Sequence, residues 1–516
     1  MNFIREDVHT SILKNSKYSQ LTIDEDFNIP DVKGDMEKII AKDGHVIVEN
    51  VLAEDGKVKV VGTVYFQVLY RSSSEENDME IYAGEIPFED RVNIDNITKN
   101  NQADCQCRLE DLTVSMINSR KLEIRGLIGN AVNVYENACV NCAMDLENGQ
   151  GVECLSKDLA LTSTAISKRD VFKIKESVEI PQNKPNIREI VWSSVELRNI
   201  ETRPLQDKIS VRGEVEIFVI YRGDEEHLPV QYLFSARTIS REIDCQDARE
   251  EMILDAECVL GKGDVTIGTD TDGEERVILV EHKVDMCIKM YEDKTVRLLT
   301  DLYSPQLETH PSTEKMCYEN LVMRNSAKAK ITHRKRVDDA GYKMMQICHV
   351  YGSVDLDDMN VKDGEIYISG VVKTNILYVS DSDDPMNCME TEIPFEYVAD
   401  SVSVSSSDII RISPCLDQLG ASLVNSGEIE IKAQVNLSIT VFSQSCIDVI
   451  TDMTVSPIDY EKKADMPGII GYVVKQGDTI WSIARKYYAT TESIRTINNL
   501  ESDNIKEGDR LIIVKS

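Results

Sequence analysis

Gly62-Thr-Val-Tyr-Phe-Gln-Val-Leu-Tyr70 returns twice further along the chain, as Gly213-Glu-Val-Glu-Ile-Phe-Val-Ile-Tyr221 and Gly370-Val-Val-Lys-Thr-Asn-Ile-Leu-Tyr378. Each copy opens on glycine and reaches tyrosine eight residues later, through residues that favour strands. The copies lie 151 and 157 residues apart. Carried upstream without gaps, those offsets align Ile23 with Ile174 and Ile331, Met36 with Ile187 and Met344, and Val46 with Leu197 and Val354. Downstream, Leu122 to Tyr135 aligns with Ile278 to Tyr291 and with Ile429 to Phe442. Agreement at so many fixed positions marks three copies of one unit.

The units read as antiparallel β. Ile429, Ile431, Ala433, Val435, Leu437 and Ile439 alternate with mostly polar residues, the period of a strand with one buried face. Asp55-Gly56, Asp363-Gly364 and Asn425-Ser-Gly427 are turn signals before such strands. A short helix is expected near Asp35 to Ala41 and at its counterpart, Asn186 to Trp192. The two long strands of each unit resemble one another, which suggests two related halves. Ile29-Pro30-x-x-Lys33 recurs as Ile180-Pro181-x-x-Lys184 but is missing from the third unit. Ile86-Pro-Phe-Glu89 recurs as Ile393-Pro-Phe-Glu396, with a loose equivalent around Phe234 in the second. The units are placed at 9–150, 160–304 and 317–457, with linkers at Ser304 to Ser312 and Pro457 to Gly468. Acidic stretches at Ser72 to Asp78, Gly223 to Glu226 and Asp381 to Asp384 are expected at hairpin tips, without the ligand spacing of a calcium loop.

Residues 471–516 follow another pattern. Tyr472-Val473-Val474 and Leu511 to Val514 are short strands. Gly477-Asp478 turns the chain, and Asp478 or Thr479 can cap a helix whose inner face is Ile480, Ile483, Ala484 and Tyr487. Thr490 or Thr491 can cap a second helix with Ile494 and Ile497 inside. The order is β-α-α-β. The fold class is therefore mainly β, three tandem repeats followed by a small mixed module.

Formal net charge is −33 over 516 residues. Residues 471–516 hold seven basic and six acidic side chains, so residues 1–470 carry −34. Such a body repels nucleic acid and anionic lipid. The first residues show no basic stretch leading into an apolar one, so no export signal is expected, and no apolar run reaches a membrane span. Thirteen scattered cysteines fit reduced thiols rather than a disulfide framework. The location expected is the cytoplasm.

No catalytic constellation is present, and neither a cofactor nor a metal is expected. Cys139-x-x-Cys142, with Cys105, Cys107 and Cys154 nearby, is the best zinc candidate, but the other units lack such a cluster and small buried thiols explain it. Cys107 aligns with Cys415 of the third unit. Gly261-Lys-Gly263 lacks the rest of a phosphate loop and reads as a hairpin turn. Lys328-Ala-Lys-Ile-Thr-His-Arg-Lys-Arg336 is the single basic run in an acidic body, either a charged strand face or a dock for an acidic partner.

The C-terminal stretch resembles a LysM domain along its whole length. The motif runs Tyr472-x-Val474-x-x-Gly477-Asp478-Thr479-Ile480-x-x-Ile483-Ala484, then Ile497-Asn498-Asn499-Leu500, then Ile505-x-x-Gly508-x-x-Leu511-x-Ile513. In that family a groove between the first strand–helix loop and the last helix–strand loop binds N-acetylglucosamine glycans such as peptidoglycan. Carried to this chain, the groove residues are Gly477, Asp478, Thr479, Ile480, Trp481, Asn499, Leu500 and Ile505. Triplicate β units ending in LysM resemble the SPOCS-domain proteins of spore-forming Firmicutes. That resemblance implies a non-enzymatic scaffold in spore-coat assembly, in the mother-cell cytoplasm at the forespore surface. Its implied partner is the coat ATPase, stage IV sporulation protein A, with peptidoglycan as the alternative ligand.

Overall fold

Each repeat folds into six strands: the second, third and fourth pair in order, the fifth pairs with the sixth, and the sixth reaches back to the first. The computed structural model describes residues 2–73, 78–147, 149, 151–224, 230–337, 343–382, 384–399, 404–425, 427–458 and 467–514. The first unit holds β1 (Asn2–Asn28), β2 (Met36–Glu54), β3 (Lys57–Ser72), β4 (Met79–Asn93), β5 (Gln102–Asn118) and β6 (Lys121–Glu147). One sheet runs β2-β3-β4 and the other β1-β6-β5. The second unit repeats this with β7 (Glu153–Glu179) to β12 (Val277–Tyr303), and the third with β13 (Leu307–Arg336) to β18 (Glu428–Pro457). Two three-stranded halves thus make each unit, the second half completed by the strand that precedes the first.

The two sheets of a unit close on an apolar core. In the first it is built by Val60, Val64, Phe66, Ile86, Phe88, Ile124, Ile128 and Val132. The repeated glycine has a packing reason: a Cβ at Gly62 would meet Ile47 O at 2.5 Å and the Phe88 ring at 2.8 Å. Phe395 lies equally close to Gly370, so the glycine and the Ile-Pro-Phe-Glu motif travel together. Ile200 fills that place in the second unit, where the motif has drifted. The Ile-Pro-x-x-Lys motif builds the crossover between sheets. Lys33 Nζ donates to Ile81 O at 2.6 Å, and Arg120 donates to Lys33 O at 2.6 Å. Lys184 reaches Tyr232 O, and Arg276 donates to Pro181 O at 2.9 Å and Asn186 Oδ1 at 2.6 Å. In the third unit Gly427 replaces the arginine, and among the described residues the crossover keeps the backbone bond from Val337 N to Gly427 O at 2.8 Å.

Two readings of local structure are corrected. Asp35 to Ala41 and Asn186 to Trp192 open no helices; from Met36 and from Ile187 they are strand. Bulges fall between Met36/Lys38 and Ile39/Ala41, and again between Ile187/Glu189 and Ile190/Trp192. Two bulges so close turn apolar residues inward at 36, 40 and 41, which imitates a helical period. Gly261-Lys-Gly263 is a mid-strand bulge rather than a hairpin turn.

The sixth strand outruns the fifth. Beyond Tyr135, β6 pairs only with Asn2–Leu13, as a two-stranded ribbon. The second ribbon joins Glu153–Thr164 to Tyr291–Tyr303 and the third Leu307–Leu321 to Phe442–Pro457. The three ribbons share one core: Val8 and Val140, Leu159, Leu161 and Leu298, Met316 and Val449. A second shared core at the sandwich end joins Leu69, Trp192, Phe218, Tyr351 and Leu377. The units therefore surround a pseudo-threefold axis. Two contacts run round it in one sense, from the first unit to the third and from the third to the second: Leu13 N donates to Glu319 Oε1 at 2.6 Å and Leu321 N to Thr162 Oγ1 at 2.9 Å, each at a bulge in its own strand.

The cysteines follow this frame. Cys139 is exposed and Cys142 buried, so the pair does not converge, and among the described residues no three His, Cys, Asp or Glu gather as a metal site. Strand register sets Cys107 against Asn130 and Cys415 against Asn436, one residue out of equivalence, which corrects their alignment. The expectation of reduced thiols is corrected at one place: Cys317 and Cys446 face each other across the third ribbon and are joined. The other eleven cysteines are free. Parts of the three acidic tips and of the Pro457 to Gly468 linker lie outside the described residues.

Candidate partner-docking site on the C-terminal module

The module is a two-stranded sheet, β19 (Ile469–Val473) with β20 (Arg510–Val514), under two helices, α1 (Ile480–Lys486) and α2 (Thr491–Asn498). Thr479 caps α1 in a reciprocal box with Ser482, and Thr490 caps α2. Asn499 ends α2 in the left-handed conformation at φ 51°. Val474, Ile480, Ile483, Ala484, Ile494, Leu511 and Ile513 form the core.

The eight sequence-expected groove residues do not share one fate. Gly477 takes φ +85°, which makes the turn that its left-handed backbone requires. Asp478 folds back, its Oδ2 accepting from Tyr472 OH at 2.7 Å and from Lys475 N at 2.8 Å. The Lys475 amide first, then the Tyr472 hydroxyl, hold its carboxyl below the usual range. Thr479 is spent on the cap. Ile480 is 1% exposed and belongs to the core, so it offers no surface. Asn499 is exposed, while Leu500 and Ile505 pack partly against the core. The two loops still form an accessible rim.

Trp481 lies elsewhere. Its Nε1 donates to Asp301 Oδ2 at 2.7 Å, and its ring meets Tyr303 edge-on at 4.8 Å. Arg485 donates to both Asp301 oxygens at 2.8 and 2.7 Å. Tyr303, 3% exposed, enters the module's core, and its hydroxyl donates to Ala489 O at 3.0 Å. Burial pushes its phenol up, so it stays a donor. Thr491 Oγ1 donates to Glu153 Oε2 at 2.8 Å. Asp301, Tyr303 and Glu153 all belong to the tip of the second ribbon. The module is seated on the repeats rather than strung behind them. Sequence reasoning missed this seat because Asp301 and Trp481 stand 180 residues apart. Only the repeat alignment held a clue: Asp301 recurs as Asp145 and Asp452, whereas Tyr303 is replaced by Glu147 and Thr454.

Away from the seat, the outer face of β19-β20 is open and, beside Arg510, carries apolar side chains. Ile469 is 68% exposed, Val473 55% and Ile512 50%. Such a cluster on a small polar module marks a candidate contact surface.

A family model of the SipL SPOCS domain matches residues 35–117, 186–267 and 343–424, which are the second to fifth strands of each unit. A LysM family model matches residues 472–514. No solved structure matches the chain. Both matched families are binding domains, which gives a sporulation-related role in protein interaction or cell-wall binding. Among the described residues no helix is long and apolar enough to cross a membrane.

Proposed function

We propose that this chain, which belongs to the SipL-type proteins joining SPOCS domains to LysM, is a non-enzymatic adaptor of spore-coat assembly in the mother-cell cytoplasm. Its LysM module docks the coat morphogenetic ATPase, of the stage IV sporulation protein A kind, at the forespore surface. The observation that carries the reading is the open apolar sheet face of Ile469, Val473 and Ile512, beside the rim of Gly477 to Thr479 and Asn499 to Ile505. A glycan groove draws on aromatic stacking and polar edges. Here the module's tryptophan is already held by Asp301 and Tyr303.

The test is retention of the full chain on immobilised coat ATPase against retention on purified peptidoglycan. Val473→Glu and Ile512→Glu sit on the exposed face, so both proteins should keep a wild-type circular dichroism spectrum and lose about tenfold or more in ATPase affinity, some 1.4 kcal/mol. Retention on peptidoglycan without binding to the ATPase would favour the second reading, a glycan-binding wall or cortex protein. That reading rests on the still-accessible loop rim.

A further inference from the structure

The three ribbons differ at one rung of their outer faces. Leu13, Thr164 and Leu321 stand at equivalent bulges. Four residues before them, the register sets His9 against Cys139, Ala160 against Thr295 and Cys317 against Cys446. Among the described residues the third rung alone is covalent. In the first ribbon the Cys139 thiol is free, 4.0 Å from His9 Nε2.

Strand alternation decides where the third rung lies. Met316 and Val449 point inward and are buried in the core that the ribbons share. Cys317 is half-buried and Cys446 is exposed, so the bond lies on the outer side, open to solvent. An exposed disulfide exchanges with thiols that a buried one never meets. The bond joins residues 129 apart in sequence, across a stretch where β13 and β18 have no third strand. Two strands alone are marginal in water, so a covalent rung removes much of the freedom of their open form. Glu319 and Leu321, two and four residues beyond Cys317, make the contacts to the first and second units. The rung therefore holds together the piece of the third unit that docks on the axis.

We propose that Cys317–Cys446 is a reversible modification site, a redox latch that small thiols open and small disulfides close. It sets how readily the third ribbon opens from the shared core. In opening, a small thiolate attacks Cys446 Sγ, the sulfur–sulfur bond breaks, and Cys317 leaves as a thiolate that takes up a proton. A second small thiolate attacks the small-molecule sulfur of the mixed disulfide and releases Cys446. Two small thiols are thereby oxidised to one disulfide, and the protein disulfide is reduced to two thiols. Closing runs these steps in reverse, with the small disulfide as oxidant. The stability of the axis thus follows the thiol balance around the protein. The latch rests on the placement of the two sulfurs and stands whatever the LysM module binds.

The test is hydrogen exchange of the full chain equilibrated with dithiothreitol or with oxidised glutathione, each sample also mapped by non-reducing peptide mass spectrometry. Oxidised glutathione should give a peptide cross-linked through Cys317 and Cys446, and dithiothreitol without denaturant should remove it. On reduction, amides of 307–321 and 442–457 should lose about tenfold or more in protection, while those of β3 keep theirs. Cys317→Ser should exchange like the reduced wild type in both buffers. Cys139→Ser should respond as wild type does, since the free thiol of the first ribbon takes no part. Absence of the cross-link in oxidised glutathione overturns the proposal, as does a cross-link that survives dithiothreitol in the folded protein. Protection of the third ribbon that is the same in both states overturns its hold on the axis.

Discussion

The first and second ribbons are the same object almost to their tips. Both continue a six-strand unit past its sandwich, and both bend at a bulge near the end, after Ile4 in one and at Thr300 in the other. Both carry an aspartate there that accepts from the next backbone amide, Asp145 from Leu146 at 2.8 Å and Asp301 from Leu302 at 2.9 Å. Yet only the second holds the LysM module. The difference is two residues further on: Glu147 in the first, Tyr303 in the second. Repetition supplied a polar acceptor three times over, since Asp452 of the third ribbon also bonds the following amide, at 2.9 Å. Tyr303, with Glu153 paired to it where the other ribbons have Asn2 and His310, made one of the three a seat.

Tyr303→Ala breaks that difference outright and carries the largest expected effect. The ring is buried in the module's own core, so its loss opens a cavity and orphans Ala489 O. The cost should be about 3–5 kcal/mol, in the range of large-to-small aromatic core changes. It should fall on the module and leave the sandwiches intact. Hydrogen exchange is the measurement: amides of 469–514 should lose protection while those of β3, β9 (Lys208–Gly223) and β15 (Glu365–Ser380) keep it. Equal loss of protection in both places would mean that the seat is not local.

The axis offers the same comparison in another form. Ala41, Trp192 and His349 occupy one equivalent position, against Leu69, Ile220 and Leu377. Three different side chains fill one pseudo-symmetric core. His349 stacks on Phe218 of the neighbouring unit at 4.0 Å, and burial pushes its imidazole down to about 3. The folded state therefore keeps it neutral, whereas the unfolded chain binds a proton near pH 6.5. The unfolded state then binds more protons at low pH, so stability present above about pH 6.5 is lost as pH falls toward 3. At about pH 5 the loss should be about 2 kcal/mol. His349→Phe should flatten that part of the pH profile in urea denaturation. A histidine-independent slope between about pH 6.5 and pH 5 would refute the assignment.

What could be read in the sequence follows from the range of the physics behind each feature. The strand periods, the turns at Asp55-Gly56 and Asp363-Gly364 and the LysM caps are local, and they appear as expected. The helices expected near Asp35 and Asn186 failed because paired bulges displace the strand period, and a bulge is chosen by the partner strand. The ribbons were hidden for a similar reason. Residues 136–147 and 292–303 continue the pattern of their sandwiches, and only the missing fifth strand sets them apart. At the candidate site, the caps of α1 and the turn at Gly477 were legible. The fates of Ile480 and Trp481 were not. One is a core residue and the other faces a carboxylate contributed from a distant unit.

The smallest effect is the sharpest test of the comparison between ribbons. Asp301→Asn keeps an oxygen for Trp481 Nε1 but removes the charge that holds Arg485 by two bonds. A charge-assisted pair weakened at a partly buried site should cost about 1–2 kcal/mol of local module stability. Asp145→Asn makes the same chemical change at the matching place. Asp145 is exposed, and its described bond is to Leu146 N, which an asparagine oxygen can accept equally. Its cost should stay within about 0.5 kcal/mol. Hydrogen exchange of 469–514 should therefore separate the two variants, although the residues are equivalent in sequence and in backbone. If both variants loosen the module alike, the repeated aspartate acts through the shared ribbon core. If neither does, Tyr303 alone makes the seat, and the carboxylate beside it is a remnant of repetition.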